Sequence, residues 1–178
     1  MKEFIHKIKY YFFQRALIRV AGVKKERAMI NLAAAKSIGI IFDATIVHNT
    51  TAVAEFAAQM KSKGKKIDQL GFTEEVHAIE NKDSHLFNKK DLDWRLIPSK
   101  PNVDAFIAKE FDILIGAYIG HCAPLEYIAA LSNAKLRVGA FQEGMEFCYD
   151  LMINIGDKEE VEYLINQIDK FLKGVKAK

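Results

Sequence analysis

The sequence is poor in the residues that staple or ligate. Its 178 residues include two cysteines, Cys122 and Cys148, and three prolines. Two cysteines do not make a disulfide framework, and without a Cys-x-x-Cys pair a structural zinc site is not expected. Free thiols fit a reducing compartment. No apolar run approaches the ~20 residues that span a bilayer. Lys7, Lys9, Arg15 and Arg19 break up any signal-peptide core, so a cytoplasmic chain is expected. Three phosphate or nucleophile signatures are also missing: no G-x-G-x-x-G follows a strand, and neither G-x-x-x-x-G-K-[ST] nor G-x-S-x-G occurs. Their absence excludes a dinucleotide fingerprint, a P-loop and a nucleophile elbow. There is no internal repeat and no low-complexity tract.

What is present is apolar bulk and an uneven charge. Half of the residues are hydrophobic, which is ample for a core and excludes a disordered chain. The net charge is +3. Residues 1–27 carry eight Lys/Arg against Glu3 and Glu26, net +6, while the rest carries 18 basic against 21 acidic residues, net −3. The basic character therefore belongs to an N-terminal arm, and the body is not a general nucleic-acid binder.

Hydrophobic periodicity divides the chain into a basic helical arm, 1–35, and an α/β body, 36–178. Over residues 3–19, Phe4, Ile5, Ile8, Tyr11 and Phe12 share one helical face, with Lys2, Lys7, Lys9 and Gln14 opposite. Gly22 interrupts this helix, and the alanine-rich stretch 24–35 predicts a second. Residues 37–43 and 111–117 are continuous apolar runs, the pattern of strands buried on both faces of a parallel sheet. Further strands are expected at 65–72, 94–97, 136–141 and 149–155, and residues 73–91 read as a polar excursion. Helices are expected after a cap at Asn49 or Thr50, after Pro101, and from Pro124. A last helix follows the capping-box-like Asp157-Lys158-Glu159-Glu160. Strands alternating with helices predict a single Rossmann-like (flavodoxin-like) α/β domain, its mainly parallel sheet flanked by helices and preceded by an amphipathic helix.

Several stretches together carry a resemblance: Ala35–Asp43, Asp93–Pro98, Phe111–Ile115, Ala134–Gly139 and Tyr149–Ile153. The set resembles an uncharacterised bacterial family, a domain of unknown function of about this length, over most of the chain. That resemblance implies no activity. A fainter likeness, over residues 111–141, is to the nucleotide-sugar-binding half of heptosyltransferase-type enzymes. There a strand like Phe111–Gly116 leads through a glycine turn like Gly120-His121 into a helix like Pro124–Leu131.

In open parallel sheets, ligands bind beyond the carboxyl ends of the strands. That rule selects Asp43, Thr45 and His48, then Thr73 and Glu74, then Tyr118, Gly120, His121 and Cys122, and last Gln142 and Glu143. Of these, Asp43, Thr45, His48, Gly120, His121 and Cys122 make the expected ligand site. Cys122 stands at a helix start, which stabilises a thiolate. His121 adjoins it, and His48 is placed to approach from the neighbouring exit. The alternative is a small, packed thiol. Asp43 either holds a metal, a ribose hydroxyl or a phosphoryl group, or it closes an Asx turn. A metal site is not expected, because only Asp43 and Glu74 are obvious oxygen ligands, and no cofactor is expected. Trp94 and Arg95 form either a stacking and anion-binding pair or a core-edge closure.

Three functions are compatible with these residues. The first is a binding module for a small ligand, a nucleotide or sugar phosphate, without catalysis. The second is an interaction protein that docks through residues 1–20 to a membrane surface, a partner or a second copy of itself. The third is a thiol-dependent enzyme using Cys122. The balance leans away from an enzyme, and towards a cytoplasmic or peripherally membrane-bound protein.

Overall fold

Strand β1 (Ser37–Asp43) has no polar side to offer water, since the five residues between its ends are all buried. It therefore sits inside the sheet, paired in parallel with β2 (Lys66–Thr73) and β4 (Ile113–Ala117), with Ile38 opposite both Ile67 and Ile113. Strands β3 (His85–Asn88), β5 (Leu136–Ala140) and β6 (Leu151–Ile153) complete six strands in the order 3-2-1-4-5-6. Every pairing between them is parallel. The strand order reverses between β1 and β4, as in doubly wound dinucleotide-binding folds. A computed structural model describes residues 10–15, 17–18, 27–75 and 85–175 of the chain.

Side chains alternate between two layers. Ile38, Ile40 and Phe42 join Ile113, Ile115 and Val138 beneath α2 (Val47–Ser62) and α5 (Val161–Gly174). Ile41, Leu70 and Leu114 face the opposite layer. That layer holds α3 (Pro101–Ala108), α4 (Ala123–Leu131) and α1, helical at residues 10–15 and 17–18. Each buried aliphatic side chain contributes roughly 1.5–3 kcal/mol, so both faces have to be covered. Among the described residues no helix is long and apolar enough to cross a membrane.

The fold agrees with the α/β expectation and corrects several of its elements. In α1 the body takes Phe13 and Leu17, which are 0 % and 1 % exposed, whereas Tyr11 and Phe12 are 53 % and 51 % exposed. The buried stripe is thus rotated from the one read by periodicity. Phe4, Ile5, Ile8 and Gly22 lie outside the described residues. The expected helix at 24–35 is, from residue 27 on, an irregular strap with one turn at 32–34. Its amides bond elsewhere: Ala28 N–H donates to Lys135 O at 3.0 Å and Leu32 N–H to Leu172 O at 3.1 Å. Tertiary partners override alanine's helix propensity there.

Residues 94–97 are not a strand. They form a tight loop closed by the Leu92–Pro98 bridge and by the Asp93 carboxylate, which accepts from Arg95 and Ile97 N–H groups. The third strand lies instead in the polar excursion, at 85–88, where a short edge strand of four residues leaves little periodic signal. Helix α2 starts at Val47 without a side-chain cap, and Asn49 bonds the Asp43 carbonyl instead. Helix α5 starts at Val161 without a side-chain cap, so the capping box is not formed.

Two buried polar features hold the layers together. The Arg137 guanidinium forks onto Asp150, with Nη2 at 2.8 Å and Nε at 3.1 Å, while Nη1 donates to the carbonyls of Ala129, Ala130 and Phe147. It thereby satisfies carbonyls at the end of α4 that have no helical partner. Tyr149 crosses β4 and β5 at their glycines. A Cβ on Gly139 would lie 2.6 Å from its ring.

At the amino-terminal edge of the sheet, just before β4, Asp112 accepts from the Lys36 and Ser37 amides and from Lys135 Nζ at 2.8 Å. Burial pushes its carboxyl up, but these donors outweigh burial and bring it down to about 2.

Gly139→Ala should cost about 1–3 kcal/mol in a urea titration through overpacking against Tyr149. Pairing it with Tyr149→Leu should recover part of that loss. Asp112 has a folded pKa below its unfolded value, so its stabilisation is present above pH ~4 and disappears as the pH falls towards 2. Asp112→Asn should lower stability at neutral pH by about 1–2 kcal/mol and flatten the acid limb of the stability profile.

Candidate functional site

Helix α4 is apolar along its length except for one charge, Glu126, whose carboxylate is fully buried. Its partners come from three places. The Cys122 N–H at the helix start donates to Oε1 at 3.1 Å. His121 Nδ1 lies 3.1 Å from the same oxygen. The Tyr10 hydroxyl, arriving from α1, donates to Oε2 at 2.9 Å and lies 2.7 Å from His121 Nδ1. Burial pushes the Glu126 carboxyl up, and hydrogen bonds from Tyr10, His121 and the Cys122 amide pull only part of that back. The Tyr10 phenol is itself pushed up, first by burial and then by the Glu126 charge.

With Glu126 ionised the donors run one way, because a carboxylate only accepts. Tyr10 donates to Glu126, and His121 carries its proton on Nδ1. This leaves His121 Nε2 as the acceptor, and it has no hydrogen-bond partner among the described residues. A carboxylate behind Nδ1 fixes the tautomer and orientation of an imidazole in this way.

His121 lines a cleft of about 350 Å³ across the carboxyl ends of β2, β3 and β4. Its walls are Tyr10, Phe72, Leu92, Leu96, Ala123 and Pro124, and its polar groups are His121, Cys122 and the pair formed by Lys89 and Glu74 at 2.6 Å. Leu96 enters this wall from a left-handed backbone conformation, φ 65°. Such strain in a non-glycine residue costs about 1–3 kcal/mol and concentrates at ligand clamps.

The structure separates the residues that topology had grouped. His121 and Cys122 line the cleft, and Gly120, at φ 79°, makes the turn that delivers them. Asp43 closes an Asx turn by accepting from Thr45 N–H at 2.8 Å. The Thr45 hydroxyl accepts from Glu74 N–H, tying the β1 and β2 exits together. His48 lies 3.7 Å from Glu162, on the layer of α2 and α5, and is not the partner of Cys122. Burial pushes the Cys122 thiol up, and the Asp43, Glu126 and Glu74 charges push it the same way. This environment disfavours the thiolate that the helix start had suggested. Trp94 is exposed with Arg95 over its ring at 5.8 Å, so it does not close a core edge. Among the described residues no three His, Cys, Asp or Glu converge as a metal site.

Sequence reasoning missed Tyr10 and Glu126. The readable signal for Glu126 was its isolation as the one charge in Ala123–Leu131. Tyr10 carried none, because its role depends on how α1 docks.

A family model described as a family of unknown function (DUF6913) matches residues 7–175, in line with the resemblance read from the sequence. No curated protein matches the chain. Among solved structures, E. coli heptosyltransferase WaaC with ADP is similar at 16 % identity and a TM-score of 0.49, over 79 % of this chain and 48 % of that one. The chain thus spans about half the length of that enzyme, and likeness at this level says nothing of what this protein binds.

Iodoacetamide should label Cys122 in the native protein at pH 7.5 at least about tenfold more slowly than in the urea-unfolded chain, by peptide mass mapping. Rapid native labelling would show that a thiolate is present after all.

Proposed function

The chain belongs to this family of unknown function, and membership hands it no activity; we propose, from the site alone, that it binds a small anionic ligand of the nucleotide or sugar-phosphate class in the cleft beside His121. The observation that carries the reading is the imidazole of His121, which lines the cleft and is held at Nδ1 by the buried Glu126. Burying a carboxylate without need is expensive, and here it fixes the one polar ring that a ligand would meet. Lys89, ion-paired with Glu74 at 2.6 Å, can turn its ammonium to a phosphate on the same cleft, and the start of α4 adds the positive end of its dipole. Phe72, Leu92, Leu96 and Pro124 offer an apolar wall for the uncharged part of the ligand. A volume of about 350 Å³ falls at the lower end of small-molecule pockets.

The thiol-enzyme alternative draws less support, because burial and the nearby carboxylates disfavour the Cys122 thiolate. Asp43 gives Oδ1 to the Thr45 amide and its carbonyl to the Asn49 side chain, so it draws less support as a ligand contact than His121.

The test is a thermal-shift series with nucleoside mono- and diphosphates and hexose phosphates. A ligand at about 100 times its Kd should stabilise the protein by about 2.7 kcal/mol, which moves the melting midpoint by several degrees. Lys89→Ala should abolish that shift while leaving the unliganded midpoint nearly unchanged, and His121→Ala should abolish it and lower the unliganded midpoint, because it takes a partner from buried Glu126. If no phosphorylated compound raises the midpoint, the reading fails.

A further inference from the structure

Helix α1 presents two apolar faces, and the body uses one. Tyr10, Phe13 and Leu17 turn inwards. Tyr11, Phe12 and Ile18 turn outwards and are 53 %, 51 % and 57 % exposed. Tyr11, Arg15 and Ile18 are spaced by four and three, so they lie along one side of the helix, with Phe12 beside them. In the sequence, Tyr11 and Phe12 continue the apolar stripe that begins at Phe4, Ile5 and Ile8. The stripe that periodicity marked for burial is therefore, over its described part, the one the body leaves open.

The charge around it is specific. Residues 1–27 hold net +6, against −3 for the rest of the chain. The Arg15 guanidinium lies over the Tyr11 ring at 5.4 Å, which puts a cation on this face.

We propose that the outward face of α1 docks the protein onto a bilayer containing anionic phospholipid. Three contiguous large apolar side chains need an apolar layer to enter, and the acyl boundary of a leaflet supplies one. Arg15 on this face, and the net +6 that residues 1–27 carry in the sequence, call for anionic headgroups, which the same surface supplies. A nucleic acid answers the charge but offers no layer for Phe12 and Ile18. The proposal is independent of the cleft, although Tyr10 belongs to both elements and places the cleft next to the docking helix.

The experiment is flotation of the full chain with vesicles of phosphatidylcholine alone or with 30 % phosphatidylglycerol, at low and at 0.5 M salt. The expected result is flotation with the anionic vesicles only, reduced by salt. It should fall about tenfold in the Tyr11→Ser/Phe12→Ser/Ile18→Ser variant and less in Arg15→Gln, with melting midpoints of both variants unchanged. No flotation at low salt, or flotation that the triple substitution leaves intact, overturns the proposal. A chain that does not float but sediments as a dimer, and becomes monomeric on the triple substitution, also overturns it by assigning this face to a second copy.

Discussion

The two central strands, β1 and β4, have no side that can face water, and the layout of the molecule follows from covering both. One layer is closed by α2 and α5. The other needs α3, α4 and a further element, because β2 and β3 also present Leu70, Phe72 and Phe87 to it. That further element is α1, which gives up Phe13 and Leu17 to the task. Hydrophobic cover alone would let α1 slide. The Tyr10 hydroxyl on Glu126 adds a directional restraint, because it is the described partner of Oε2 and losing it would leave that buried oxygen without a donor.

The cleft is a consequence of that placement. Parallel strands send their exits to one edge, and Glu74 after β2 and the residues after β3 and β4 stand there. Tyr10 closes one side of the space between them. The polar end of the cleft comes from a single helix start, where the Gly120 turn brings His121 and Cys122 over Glu126. Core and site therefore share a hinge residue. Glu126 serves packing by receiving the helix-start amide and α1, and serves chemistry by holding the imidazole.

The region after β1 has the opposite character. Asp43, Thr45 and Asn49 spend their polar groups on one another's backbone and on the β2 exit. This makes a rigid turn at the point where doubly wound folds usually open a crevice. The cleft carries His121 and Cys122 from the β4 exit together with residues from the exits of β2 and β3.

Much was legible from local pattern. The greasy runs at 38–42 and 111–117 required a two-sided parallel sheet, and alternating strands and helices gave the layers. The helical phase of Val161 to Leu172 marked the inner face of α5. Those features depend on side-chain chemistry at fixed spacing, which a sequence states directly. The strap at 27–35, the loop at 94–97 and the phase of α1 were decided only when distant backbone groups and core positions became their partners. The same holds for the site. His121 and Cys122 could be named from their place after a buried strand, whereas the union of Tyr10 with Glu126 joins residues 116 positions apart. Hydrogen bonds across that separation leave no periodicity in a chain, so only tertiary packing could select them.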